Sequence, residues 1–176
     1  MRRGNLAWLL LPAAIIIIAV VTLVLSNYQK EAGLAKPGKS GAAAVAAVAE
    51  AREAASATDA PGYDRFSKSL AAGMVATRDI GITNPSETRL QIALTNTLDC
   101  LSASREAWQA QLEQSWDRTV DSSPDYWRTL HPALAGDGKG PLAHAQPVGS
   151  LSPEQVRQWA ETGAGYWLQK AEGLVE

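Results

Sequence analysis

The stretch Asn84 to Trp116, NPSETRLQIALTNTLDCLSASREAWQAQLEQSW, decides the fold class. Asn at the N-cap, Pro at the first helical position and Glu at the third can satisfy the backbone N–H groups that an isolated helix start leaves without partners. With residues placed at 100° intervals about Leu101, the side chains of Leu90, Leu94, Thr97, Leu98, Trp108 and Leu112 all fall within about 60° of it. That stripe predicts one long helix from Pro85 to about Trp116, with Asp99 on the opposite face, directed to water. Ala93, Cys100 and Ala107 form a narrow strip of small residues beside the stripe, where a second helix can approach closely and Cys100 acts as a small hydrophobe. Arg105 lies about 40° from the stripe's centre. Its stem is expected to lie on the core while its head finds a carboxylate or the surface.

Upstream, Tyr63, Phe66, Leu70 and Met74 recur at steps of three and four and predict a second helix over Tyr63 to Ile80, with Asp64 and Lys68 as an i,i+4 pair on its wet side. Thr58 to Gly62, with a Pro and a Gly, reads as the break before it. Ala42 to Ala57, AAAVAAVAEAREAASA, is rich in helix formers but offers only Val45 and Val48 as sizeable apolar groups. It fits either a thin helix packed closely on a neighbour or a partly helical stalk.

Downstream, Ser123-Pro124-Asp125 caps a short helix carrying Tyr126, Trp127 and Leu130 and ended by His131-Pro132. Pro132 to Ser150 holds three prolines and four glycines and shows no usable period. Ser152-Pro153-Glu154-Gln155 then repeats the capping logic and opens a last helix to about Leu174, with Val156, Trp159, Ala160, Gly163, Trp167 and Ala171 on its apolar face. Gly163 suits a close helix crossing or a kink. No strand signal of any length is present.

At the start of the chain, Leu6 to Leu25 reads LAWLLLPAAIIIIAVVTLVL without a charge. At about 1.5 Å per residue this reaches the ~30 Å of a bilayer's hydrocarbon core. A membrane anchor is therefore expected at residues 6–26, between a cytoplasmic head at 1–5 and a juxtamembrane linker at 27–41. Arg2 and Arg3 favour a cytoplasmic N-terminus, although Lys30, Lys36 and Lys39 follow closely. Trp8 and the Pro12-Ala13-Ala14 turn also suit helix packing inside the bilayer. A cleaved signal peptide is the alternative, with Val24 and Ser26 before Asn27. The apolar run exceeds the usual core of about 7 to 15 residues, and nothing resembles Ala-x-Ala.

Beyond Ser26, 14 Lys and Arg are scattered against 18 Asp and Glu, which argues against a nucleic-acid partner. The single Cys100 excludes an intramolecular disulfide, a CxxC redox pair and a Cys-based zinc site. His131, Asp137 and His144 could ligate a metal only if their loop folded back on itself. Gly136-Asp137-Gly138-Lys139-Gly140 lacks the spacing and the preceding strand of a phosphate loop. No GxSxG and no paired-carboxylate signature is present. The expectation is thus no catalytic residue, no metal and no cofactor.

Five tryptophans outside the first segment suit core and rim packing. Tyr126-Trp127 and Tyr166-Trp167 each set two aromatics about 100° apart on a helix, so one of each pair is expected to reach a groove, a partner or the membrane surface. Trp127, Tyr126, Tyr166, Trp167 and Arg105 are the candidate interaction residues.

The chain is thus expected to be all-α, with one N-terminal transmembrane helix and a three- to four-helix extracytoplasmic bundle over 42–176 that carries a long Pro/Gly-rich loop before its last helix. The leading functional expectation is a non-enzymatic interaction module of the bacterial inner membrane, with its C-terminal domain periplasmic or extracellular. It would act as an accessory or scaffold subunit, its partners being other membrane or periplasmic proteins and, through Leu6 to Leu25, membrane lipid. The alternatives are a helical ligand-sensing domain, in which Arg105 would contact an anion between helices, and an unrecognised hydrolase-type enzyme using the loop between His131 and His144.

Overall fold

A computed structural model of the chain describes residues 36–57, 59–116, 121–136 and 149–176. Every regular element among them is helical: α1 Lys39–Ala55, α2 Ala60–Arg78, α3 Pro85–Leu112, α4 Pro124–Leu130, a 3-10 turn Pro132–Ala135, and α5 Pro153–Val175. None of these helices is long and apolar enough to cross a membrane. The expected head, anchor and most of the linker, together with residues 137–148 of the Pro/Gly-rich loop, lie outside the described residues.

The four longer helices run up, down, up and down around one core. α1 packs on α2, α2 on α3, α3 most extensively on α5, and α5 closes the ring on α1, while α1 also meets α3 across the centre. Leu90, Leu94, Leu101 and Trp108 are buried along α3, against Phe66 and Leu70 of α2 and Val156, Trp159 and Leu168 of α5. Burying each such side chain contributes about 1.5–3 kcal/mol.

The sequence caps operate as read. Asn84 Oδ1 accepts from the Glu87 N–H at 2.9 Å, and Glu87 Oε2 accepts from the Asn84 N–H at 3.2 Å. Ser152 Oγ and Gln155 Oε1 make the reciprocal pair at the start of α5, at 3.2 and 2.8 Å. Ser123 Oγ receives the Tyr126 N–H at the start of α4.

The Ala-rich segment forms a thin helix and not a stalk. Ala44, Val48, Ala51 and Ala55 are fully enclosed, because small side chains let α1 sit close to its neighbours. At the meeting of α1, α2 and α3, a Cβ on Gly73 would lie 3.2 Å from Leu98 Cδ2 and 3.3 Å from Val48 Cγ2.

Several expected boundaries move. α1 begins at Lys39, so the end of the expected linker at 27–41 is helical, with Gly41 buried near Leu90. α2 begins at Ala60, because Asp59 caps the Gly62 N–H at 2.9 Å and Pro61 is tolerated in the first turn, where its missing N–H has no intrahelical role. α3 ends at Leu112 and not at Trp116. Gln114 adopts φ 52°, the Ser115 N–H reaches the Ala110 carbonyl at 3.0 Å and the Gln114 N–H reaches Gln111 at 3.2 Å, which terminates the helix in a Schellman motif.

Two members of the apolar stripes also stand outside the core. Met74 and Leu112 are exposed, since the inner face of α2 passes through Gly73 and Thr77 and Leu112 is the last residue of its helix. The start of the Pro/Gly-rich stretch is ordered as well: Pro132–Ala135 winds into the 3-10 turn and buries Ala133 and Leu134.

Candidate functional site

The 3-10 turn brings together a polar cluster on the outer face of α3. His131 is buried between two carboxylates, its Nδ1–H donating to Asp99 Oδ1 at 2.9 Å and its Nε2–H to Glu106 Oε2 at 3.3 Å. Ionised carboxylates only accept, so both ring nitrogens carry protons and the side chain is an imidazolium. Burial alone would lower its pKa, but the hydrogen bonds to Asp99 and Glu106 and the charges of the two carboxylates outweigh it and raise the value from 6.5 to about 9.

Asp99 Oδ2 also accepts the Ala133 N–H at 3.0 Å, and the Trp167 indole N–H donates to the Ala133 carbonyl at 3.0 Å. Asp99 therefore does not point to water as the helical wheel implied. α4 and the 3-10 turn add a second layer on that face. Trp127 stacks on the His131 ring with centroids 6.0 Å apart, and Trp116 stacks on Trp127 at 5.8 Å.

This cluster works as a latch that fastens α4 and its turn to α3 and α5. Both nitrogens of His131 are occupied, which leaves no lone pair for a metal or for base chemistry. No group of three His, Cys, Asp and Glu among the described residues is placed to hold a metal ion. Asp137, His144 and the glycines Gly138 and Gly140 lie outside the described residues.

A second hub carries no sequence motif. Arg157 of α5 is buried with its guanidinium carbon 4.3 Å from the centroid of the Trp108 ring, and its Nη2 donates to the carbonyls of Ala55 at 3.3 Å and Ala57 at 3.0 Å. It places a cation at the C-terminal end of α1, where orphan carbonyls and the helix dipole favour one. Phe66 and Tyr63 pack on Trp108 as well, at 6.2 and 5.4 Å between centroids.

The candidate interaction residues divide by type. Trp127 and Trp167 are enclosed in the fold, whereas Tyr126 is exposed and Tyr166 half-buried beneath Lys170, whose Nζ lies 4.5 Å from the Tyr166 ring centroid. Trp127 and Trp167 meet the same turn, Trp127 by stacking on His131 and Trp167 by donating to the Ala133 carbonyl. Arg105 is half-buried, and its enclosed Nε has no hydrogen-bond partner among the described residues. Cys100 is fully enclosed in the small-residue strip, and burial first, then the Asp99 charge, push its thiol far above the ordinary range, so it is an inert hydrophobe.

Two open clefts lie between helices. One of about 420 Å³ runs between α2 and α3 over Leu98, with Met74, Arg78, Gln91 and Ser102 around it. The other, about 380 Å³, lies between α1 and α5 and is lined by Arg52, Glu53, Glu161, Leu168 and Glu172. There burial raises the Glu161 pKa, reinforced by Glu154 and opposed by Arg157 and Arg52. Arg105 lines neither cleft. No protein-family model matches the chain, and no curated protein or solved structure matches it either.

Proposed function

We propose that the chain is a membrane-tethered, non-enzymatic interaction module, an accessory or scaffold subunit of a larger complex in the bacterial inner membrane. In this reading Leu6 to Leu25 anchors it with the N-terminus inside, and the helical bundle stands on the periplasmic side. The uncharged twenty-residue apolar run supports the tether.

The observation that carries the interaction is the pair Tyr126 and Leu130, one turn apart along α4 and 37 and 47 % exposed, on the half of the bundle remote from Lys39. The stacked Trp116–Trp127–His131 layer holds Tyr126 and Leu130 on a rigid support. An aromatic and aliphatic patch on such a support is the form that contact surfaces take.

The test is recovery of the full-length protein from its own membrane in mild detergent. Another membrane or periplasmic protein should come with it in fixed ratio, and Tyr126→Asp with Leu130→Asp should abolish that while the far-ultraviolet circular dichroism is unchanged. Recovery as a lone monomer in several detergents overturns the reading.

A further inference from the structure

The cleft between α2 and α3 offers opposite hydrogen-bonding chemistry at its two ends. The helices run antiparallel there. Gln91 Nε2 reaches the Thr77 carbonyl at 3.5 Å, and a Cβ on Gly73 would lie 3.2 Å from Leu98 Cδ2, so Thr77 is level with Gln91 and Gly73 with Leu98.

The Thr77 end supplies donors. Thr77 lines the cleft and is 4 % exposed, and its Oγ1 has no hydrogen-bond partner among the described residues. A buried hydroxyl left in this way costs free energy that a ligand atom can recover. Beside it, the Gln91 amide has one N–H on the Thr77 carbonyl and a second to give. Arg78 brings a guanidinium, 3.7 Å from Asp79 with both side chains in solvent, a pair weak enough to exchange for a ligand.

The other end supplies acceptors. Ser102 gives its hydroxyl proton to the Leu98 carbonyl at 2.9 Å, so toward the cleft its oxygen accepts. Asp99 lines the same end, and while it holds His131 and the Ala133 N–H, each of its oxygens keeps a lone pair. Two carboxylates, Asp99 and Glu106, face one imidazolium, so negative charge is in excess there. Between the ends the surface is apolar, with Leu98 as floor and the exposed Met74 beside it.

We infer that this cleft binds a short peptide of about three residues with both termini free. Its carboxylate lies toward Thr77, Gln91 and Arg78, its ammonium toward Asp99 and Ser102, and an apolar central side chain rests on Leu98 and Met74. Charge and length select this ligand. Gln91 and Asp99 are eight residues apart on α3, about 12 Å of helix, and three extended residues cover roughly 10 Å. A single amino acid is too short to reach both ends, and a fatty acid or an alkyl amine satisfies one end alone. The volume of about 420 Å³ lies within the range of small-molecule sites. This site requires neither the tether nor the Tyr126–Leu130 patch.

The test uses the full-length protein in detergent, carbon-13 labelled at its methionine methyl groups. The chain has two methionines, Met1 and Met74, so loss of a signal in Met74→Leu assigns it. The peptide Ala-Leu-Ala should shift the Met74 signal saturably, with a dissociation constant on the order of 1 mM or lower. Its N-acetyl and C-terminal amide forms should each bind at least about tenfold more weakly, since each loses a charge-assisted contact. Arg78→Gln should weaken Ala-Leu-Ala by a similar factor with the far-ultraviolet circular dichroism unchanged. Thr77→Val, which keeps the shape of the side chain, should weaken it too while the thermal midpoint stays level or rises, because the hydroxyl it removes has no partner in the unliganded protein.

No saturable shift of Met74 overturns the inference. Equal binding of free and blocked peptides overturns it as well, because the cleft would then hold an apolar body without reading its termini. Binding that survives both Arg78→Gln and Thr77→Val removes the assigned carboxylate site and with it the proposal.

Discussion

Arg157 lies over Trp108 with the guanidinium carbon 4.3 Å from the ring centroid, a buried cation whose acceptors are two carbonyls and a π-face. No carboxylate pairs with it among the described residues; Glu161, one turn along α5, feels its charge. The two residues join α3, α5 and the end of α1 at one point.

Arg157→Met should cost about 2–3 kcal/mol, since the Ala55 and Ala57 carbonyls lose their donor and the ring loses its cation. Trp108→Ala should cost about 3–5 kcal/mol, and the double variant should cost less than the sum. Urea denaturation followed by circular dichroism checks both. Additive effects would mean that the contact carries no energy of its own.

The latch sets a pH dependence. His131 has a folded-state pKa raised from 6.5 to about 9, so its contribution is fully present below pH 6.5 and is lost as pH rises through about 9. The loss should be on the order of 2–3 kcal/mol, reduced from the full shift because Glu106 is partly open to solvent. Stability measured from pH 6.5 to 9.5 should fall in the wild type and stay flatter in His131→Gln. Nuclear magnetic resonance titration of the His131 ring should give a midpoint above 8; a midpoint near 6.5 would show that the carboxylates do not hold it charged.

Gln114 occupies a left-handed position with φ 52° at the end of α3, a conformation disfavoured for any residue with a Cβ. Gln114→Gly should raise stability by about 0.5–1 kcal/mol, visible as a higher thermal midpoint. An unchanged or lower midpoint would mean that the Gln114 side chain returns as much as its backbone loses.

Local signals in the sequence carried further than facial ones. Asn84, Ser123 and Ser152 mark helix starts because a cap is decided within four residues, and the described structure begins α3, α4 and α5 at the prolines that follow them. The helical wheel misplaces Asp99 because it assumes one buried face, whereas α3 is covered on two. Ala103 and Ala110 share the side of Asp99 and are buried, and small residues on a face that reads as wet were the available sign of a second layer.

Arg157 is hidden in the sequence because charge on an amphipathic helix reads as solvent-facing. Its place between buried Ala164 and Leu168 on the wheel of α5 was the signal that it turns inward. The exposure of Met74 and Leu112 depends on where helices end and cross, which hydrophobic periodicity does not encode.

The central claim, that this bundle is a module that docks another protein through its remote half, is tested most directly by site-specific photocrosslinking in intact membranes of the source organism. A photoreactive amino acid replaces Tyr126, with a control probe at the exposed Glu53 of α1. One discrete crosslinked protein at position 126, absent at position 53, is the expected result. No protein adduct at position 126, with the bundle folded and the chain in the membrane, would contradict it.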